Sequence, residues 1–458
     1  MLWTDKAKKI LKKYFKFNEL KDKQIEVINS FLNGYDVIGL LPTGYGKSMT
    51  YILPPLLTKK TMFVICPLIS LMEDQKDNLE KVGITVATLH CNNVNKQEEI
   101  FKIIDGDIKI VYMSPEFLVE GDGLELARTL VEKNLLGFIA VDESHCISSW
   151  GHDFRPNYLK LKFIREEFPQ IPILALTATA KKQVINEIQE LLKLNNPLIV
   201  SASFDRPNLL IKCKEMDKEQ KYNKNGYPMK NKEGDYIYKN VEKWLIVKDY
   251  IEKYQNDKII IYVNSRAETE ELSKEINFNI KKSSVPYHAG LSKKVREQVQ
   301  SEFNDGIVKI IISTIAFGMG IDQIVRCVII FGCPSSIEEY YQQIGRGGRD
   351  GLPSETVLYF DISNFMRTKS MLTREIKNPK LLNTRLTNLQ QVCYFFKTSD
   401  CRRKYILNYF GQTINNSCNN CDNCINKKTK SKNNSPINSE IDPFDKIEAI
   451  CKDIGFIK

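Results

Sequence analysis

Residues 41–48 read Leu-Pro-Thr-Gly-Tyr-Gly-Lys-Ser, after a short apolar run and before a helical pattern. Glycines in such a turn let backbone N–H groups face an anion, and the start of the following helix adds a favourable dipole. Lys47 is placed to reach the β- and γ-phosphates of a nucleotide, and the Ser48 hydroxyl to ligate Mg²⁺. Residues 138–143 read Phe-Ile-Ala-Val-Asp-Glu, so two carboxylates emerge where an apolar run ends. Asp142 suits a Mg²⁺ contact and Glu143 the polarisation of an attacking water, the division of labour that phosphoryl transfer needs. An Asp-Glu pair alone is an ordinary solvated loop; beside a Lys47 loop it is a hydrolytic site. A third group, Cys401, Cys418, Cys421 and Cys424, contains two C-x₂-C steps. Four thiolates so spaced suit tetrahedral Zn²⁺, the tight knuckle supplying three and a helix the fourth. The chain has four histidines, and none can reach this cluster by local spacing.

These groups need elements to hold them. Short β-branched apolar runs at 36–41, 62–66, 108–113, 138–141 and 173–176 alternate with helical patterns. Continuous rather than alternating runs mark strands buried on both faces, hence an α/β fold with a doubly wound parallel sheet. In such sheets ligands bind beyond the carboxyl ends of the strands, where the Lys47 loop and the Asp142–Glu143 pair fall. The rhythm resumes at 258–263, 284–287, 309–313, 327–331 and 356–359, which predicts a second unit of the same kind. The expected division is 1–200 for the first lobe, 201–362 for the second, 363–426 for a small helical zinc-binding subdomain and 427–458 for a polar tail. Residues 214–243, poor in aliphatic side chains, read as a solvated insertion in the second lobe.

Composition narrows the class. Apolar residues make up 42% of the 458, which excludes global disorder. No apolar run is long enough to span a membrane and the N-terminus lacks a signal-peptide core, so the expectation is a soluble intracellular protein of nucleus or cytoplasm. The net charge of +10 suits a polyanionic partner without identifying one. Of twelve cysteines, eight are scattered singly, as in a reducing compartment with one metal site rather than a disulfide framework.

Residues 148–158, Ser-Ser-Trp-Gly-His-Asp-Phe-Arg-Pro-Asn-Tyr, come directly after the hydrolytic pair. Trp150, His152, Phe154 and Arg155 combine aromatic faces with a guanidinium, a set suited to stacking on unpaired bases. This segment closely resembles the aromatic-rich loop of RecQ helicases, thought to couple DNA contact to ATP hydrolysis. Thr43-Gly44-x-Gly46-Lys47-Ser48 matches the variant phosphate loop of helicase superfamily 2, Leu41 standing where the strict pattern has its first glycine. The resemblance, over roughly residues 10–426, implies two RecA-like P-loop lobes. It places Phe17, Lys21 and Gln24 at the adenine, with Lys21 where arginine is usual and Leu20 where an aromatic is usual. It also matches residues 66–75 and 114–116 to nucleic-acid motifs, and 177–179 to the motif that links hydrolysis to lobe movement. In the second lobe 262–266, 287–290 and 313–322 match, although 323–326 lack the family's proline and run one residue short.

The strongest match is 342–351, Gln-Gln-Ile-Gly-Arg-Gly-Gly-Arg-Asp-Gly. Gln342, Arg346 and Arg349 thereby join the catalytic set. Arg346 and Arg349 are expected on one face of a helical turn, where a guanidinium can meet the γ-phosphate as an arginine finger. The cysteine set, with arginines after Cys401, resembles the family's zinc-binding subdomain. The implied activity is ATP- and Mg²⁺-dependent 3′→5′ unwinding of duplex DNA, by translocation on a single strand, in repair, recombination or replication. Residues 427–458 leave no room for the family's winged-helix and C-terminal helical DNA-binding domains, so the expectation is a short form with weak, distributive or partner-dependent unwinding. A monomer or weak oligomer is expected. Rival readings are an RNA helicase or translocase and a non-enzymatic zinc-bearing DNA adaptor, the latter opposed by the complete set Lys47, Asp142, Glu143, Arg346 and Arg349.

Overall fold

The computed structural model describes residues 2–91, 93, 96–148, 155–178, 181–216, 218–220, 223, 228–230, 238–314 and 323–430. Seven strands form the first sheet: β1 (Val37–Leu40), β2 (Thr61–Ile65), β3 (Val86–Leu89), β4 (Ile110–Met113), β5 (Leu136–Val141), β6 (Ile173–Thr177) and β7 (Leu198–Ser201). Their spatial order is β3-β4-β2-β5-β6-β1-β7, and every pairing is parallel. Each of β1, β2 and β4 is buried at every residue, as continuous apolar runs require. Sequence patterning misses β3, which carries Thr88, and β7, whose edge position leaves three of four residues exposed.

The first strand is anchored from below. Arg165 donates to both carboxylate oxygens of the preceding Asp36 at 2.6 Å, and that carboxylate also accepts from Ile173 N and Asn195 N. All four lone pairs of the buried carboxylate are thus used, which offsets its removal from water. This clamp fixes β1 against β6, and the phosphate loop leaves from the far end of β1.

A second parallel sheet has the order β12-β13-β11-β14-β15-β8. Its strands are β8 (Leu209–Glu215), β11 (Lys258–Tyr262), β12 (Ser284–Tyr287), β13 (Ile310–Ser313), β14 (Val325–Phe331) and β15 (Ser354–Phe360). Between them β9 (Lys218–Gln220) pairs antiparallel with β10 (Tyr238–Asn240). The expected insertion at 214–243 therefore needs correction. Its first two residues belong to β8, Met216 is buried in the lobe, and its ends form a ribbon. Backbone pairing asks for no aliphatic side chains, so a polar composition did not reveal it.

Helices Ile362–Glu375, Pro379–Lys397, Arg402–Tyr409 and Asp422–Lys430 complete the described chain. The last of these runs four residues into the expected polar tail; residues 431–458 lie outside the description. Aromatic pairs dock this helical unit: Phe396 stacks on Phe360 at 4.6 Å and Phe395 meets Tyr340 at 4.9 Å. Among the described residues no helix is long and apolar enough to cross a membrane.

Candidate active site and metal centre

Strands β5, β6 and β1 are neighbours, so the loops leaving their carboxyl ends meet at one sheet edge. Beyond β1, Gly44 and Gly46 take positive φ values of 80° and 85° and turn the chain into the helix Met49–Thr58. A β-carbon on Gly46 would lie 2.6 Å from Gln24 Nε2 and displace that amide, and the φ of 85° would strain any other residue there. Beyond β5, Lys47 Nζ donates to Glu143 Oε1 at 2.9 Å, and Asp142 Oδ1 accepts from Glu143 N at 2.9 Å. Glu143 itself is left-handed, at φ 46°. That conformation is costly for a side chain with a β-carbon and is held here by its neighbours.

Glu143 Oε2 faces His145 Nδ1 at 3.2 Å, and the same ring nitrogen lies 3.1 Å from Thr177 Oγ1 at the end of β6. A continuous polar path thus runs from the phosphate loop through Glu143 and His145 to Thr177. The residue-type patterns put His145 beside the hydrolytic pair but give no role to this buried ring, which joins Glu143 to Thr177. Burial pushes the Glu143 carboxyl up, yet the Lys47 charge and the His145 hydrogen bond outweigh it and hold it below the usual carboxylate range. Burial dominates at Asp142 and raises its carboxyl, with Lys47 opposing. At Lys47 burial acts downward, but Glu143 and Asp142 leave the ammonium raised.

Across the cleft, helix Ile337–Ile344 carries Gln342 and ends before both arginines. Arg346 and Arg349 are therefore not on a helical face, as expected from their spacing, but on a glycine loop that folds back. Gly348 N bonds Val325 O, and Gly348 has φ 54°. Two glycines between the arginines remove the side chains that would sustain a helix. The loop nevertheless brings both to the first lobe. Arg346 feels the charge of Glu143, and Arg349 Cγ would sit 3.3 Å from a β-carbon on Gly44. Arg346 also bonds Tyr262.

Of the residues expected at the adenine, Phe17 has an exposed ring. Lys21 Nζ approaches Gly44 O at 3.4 Å. Gln24 accepts from Lys21 N and donates to Tyr45 O and Gly46 O at 3.1 and 2.9 Å, so its amide holds the phosphate loop here. Trp150, His152 and Phe154 lie outside the described residues. Arg155 is described, and its guanidinium donates to Pro67 O in the segment after β2.

The cysteines converge. The four Sγ atoms of Cys401, Cys418, Cys421 and Cys424 all lie within 4.8 Å of one another, Cys418 and Cys424 at 3.9 Å. A tetrahedral ion with bonds of about 2.3 Å sets its sulfurs about 3.8 Å apart, which Cys418 and Cys424 already match and the others approach, so the residues fit zinc. Cys401 caps the helix Arg402–Tyr409, and Cys424 lies in the first turn of Asp422–Lys430. Arg402 braces the knuckle through Asp422 at 2.8 Å.

Family models agree with this layout. The DEAD/DEAH box helicase model matches residues 21–188, the helicase conserved C-terminal domain 242–351 and the RecQ zinc-binding domain 362–425. The ATP-dependent DNA helicase RecQ of Haemophilus influenzae is 36% identical over 417 residues, covering 90% of this chain and 62% of that one. A protein of Acanthamoeba polyphaga mimivirus, assigned by inference as an ATP-dependent RNA helicase, is 36% identical over 414 residues, 90% of this chain and 71% of its own. The chain thus spans about three-fifths of its bacterial relative. In fold it is similar to the DUF1998 helicase MrfA bound to DNA, with a TM-score of 0.61 at 16% identity over 94% of this chain and 58% of that one. Two parallel-sheet lobes, a cysteine centre and these three consecutive matches place the chain in the RecQ family of ATP-dependent helicases.

Proposed function

We propose that the chain hydrolyses ATP to move 3′→5′ along single-stranded DNA and separate duplexes. The observation that carries this reading is the meeting of Lys47 and Glu143 from one lobe with Arg346 and Arg349 from the other. Lys47 and the backbone of residues 43–48 would hold the phosphates, with Phe17 against the base. Ser48 and Asp142 would hold Mg²⁺, which neutralises charge on the phosphate oxygens. A phosphate that takes over the Lys47 ammonium leaves Glu143 with His145, so the carboxylate stays ionised and able to accept a proton from water. Arg346 and Arg349 would meet the developing charge, Gln342 beside them, and lobe motion would pass to the strand held near Trp150, His152, Phe154 and Arg155.

ATPase activity titrated in parallel with single-stranded DNA, duplex DNA and RNA tests the proposal, together with unwinding of a duplex carrying a 3′ or a 5′ tail. Stimulation by single-stranded DNA and unwinding of the 3′-tailed substrate are expected. The viral relative's description favours RNA as the second reading. Stronger stimulation by RNA would establish it, and no hydrolysis with any of the three would end both.

A further inference from the structure

Residues 202–208 link the two sheets, and one side chain in this linker touches both halves of the cleft. Arg206 Nη2 donates to Gly347 O at 2.8 Å and to Gly348 O at 2.9 Å, and Nη1 lies 3.5 Å from Thr43 O. Gly347 and Gly348 are the two residues between Arg346 and Arg349, and Thr43 opens the phosphate loop. A β-carbon on Gly44 would come within 3.8 Å of Arg206 Nη1. The guanidinium thus sits in the seam between the lobes. Burial lowers its proton affinity, although an arginine remains charged.

The linker is gripped from behind by the zinc-binding unit. Arg403 donates to Arg206 O and Leu209 O and pairs with Asp205 at 3.0 Å. Asn420, between the knuckle cysteines, donates to Pro207 O at 2.9 Å, and Phe204 stacks on Phe410 at 4.8 Å. The carbonyls that Arg206 engages are not reacting groups, so its role concerns placement. A loop of two glycines has no side chains of its own to pack, and its shape depends on whatever its carbonyls bond. Asn208 helps by donating to Gly348 O and Leu352 O. The rigid fork of Arg206 reaches across to the phosphate loop as well.

We propose that Arg206 is a positioning residue that sets the arginine-finger loop against the phosphate loop, and that the zinc-binding unit acts on ATP hydrolysis through it. This rests on the reading of Arg346 and Arg349 as the finger. Misplacement of a catalytic group by about 1 Å costs ~10²-fold in rate, which sets the scale of the expected effect.

The test is a double-mutant cycle in the full chain, with R206A, R346A and R206A/R346A assayed for ATPase. Affinity for a fluorescent ATP analogue, single-strand binding and zinc content are measured on the same preparations. R206A is expected to lower kcat about 10- to 100-fold with KM for ATP within about threefold, since placement rather than ground-state binding is lost. Analogue affinity, DNA binding and one equivalent of zinc should persist. R206K, a point charge without the fork, should recover little of the rate. The double variant should be no slower than R346A. Independent losses that multiply in the double variant would overturn the proposal, as would a raised KM with kcat intact. Should R206A lose zinc or fold poorly, R206Q, which keeps most of the side-chain volume, runs the same cycle and decides. Wild-type hydrolysis in both R346A and R349A would remove the finger and this proposal together, whereas a slow R346A beside a fast R206A would remove this proposal alone.

Discussion

Around the nucleotide cleft Lys47, Glu143 and Thr177 each stand just beyond or at the end of a strand with a buried core behind it, whereas the cysteine knuckle has almost no core. In residues 411–428 only Cys421 and Cys424 are buried. The first region is a scaffold that imposes chemistry on its side chains: burial and charge shift Asp142 and Glu143 in opposite directions only because the sheets hold them still. In the second, the chemistry supplies the structure, since so little apolar surface cannot offset the entropy of ordering the segment and metal binding has to. The knuckle then covers the open edge of β8, where Cys421 bridges Ile211 and Asp422 accepts from Cys213 N. Loss of a cleft residue should therefore remove activity without structure, and loss of a knuckle residue should remove structure first.

Glu143→Gln is the sharpest cut on the cleft side. Hydrolysis should fall by ~10²–10⁴-fold, because an amide can orient water but cannot take its proton. ATP binding, zinc content and thermal unfolding should stay near wild type; steady-state hydrolysis above about a tenth of wild type, measured with saturating DNA, would deny Glu143 this role.

Cys421→Ser attacks the other side. Zinc should drop below half an equivalent by metal analysis, and limited proteolysis should cut near Asn415 while both lobes resist. Hydrolysis should fall about tenfold, less than for Glu143→Gln, because the grip on residues 202–208 loosens while the strands stay intact. Full zinc content in this variant would undo the four-cysteine assignment.

The smallest effect is expected at Asp74, on the helix Ile69–Lys81, which accepts from Gln300 of the second lobe at 3.2 Å. Burial raises its carboxyl to about 6, with Asp77, Glu297 and Glu73 adding to the rise and the Gln300 bond opposing it. A raised carboxyl favours the protonated form in the closed arrangement. Closure that buries Asp74 is therefore most favoured below the ordinary value of 3.8 and weakens as pH rises through about 6, because burying the ionised carboxylate costs more than the Gln300 bond returns. Interlobe fluorescence energy transfer should report tighter closure at pH 5 than at pH 7.5, with hydrolysis at fixed pH changed within about twofold in Asp74→Asn. The pH dependence of closure should vanish in that variant; if it survives, another group controls the seam.

Local chemistry carried far in this chain. Glycine spacing around Lys47, two carboxylates after an apolar run and four cysteines in two C-x₂-C steps each specify a site through neighbours in sequence, and buried parallel strands announce themselves by continuous β-branched runs. Those signals fail where an element is polar or lies at an edge, as at β7 and the β9–β10 ribbon, because backbone pairing leaves no mark in side-chain type. Tertiary structure alone decided which groups meet across the fold. His145 joins its neighbour Glu143 to Thr177, which lies 32 residues beyond the histidine, and Gln24 turns its amide to the phosphate loop. Arg346 and Arg349 leave the helical face their spacing suggested. Arg206 is the clearest case: an arginine before a proline in a linker has no local partner to declare its role, and its acceptors lie 141 and 142 residues away. Composition and spacing record what a residue can do; only the packing of two sheets and a metal-held knuckle determines what it faces.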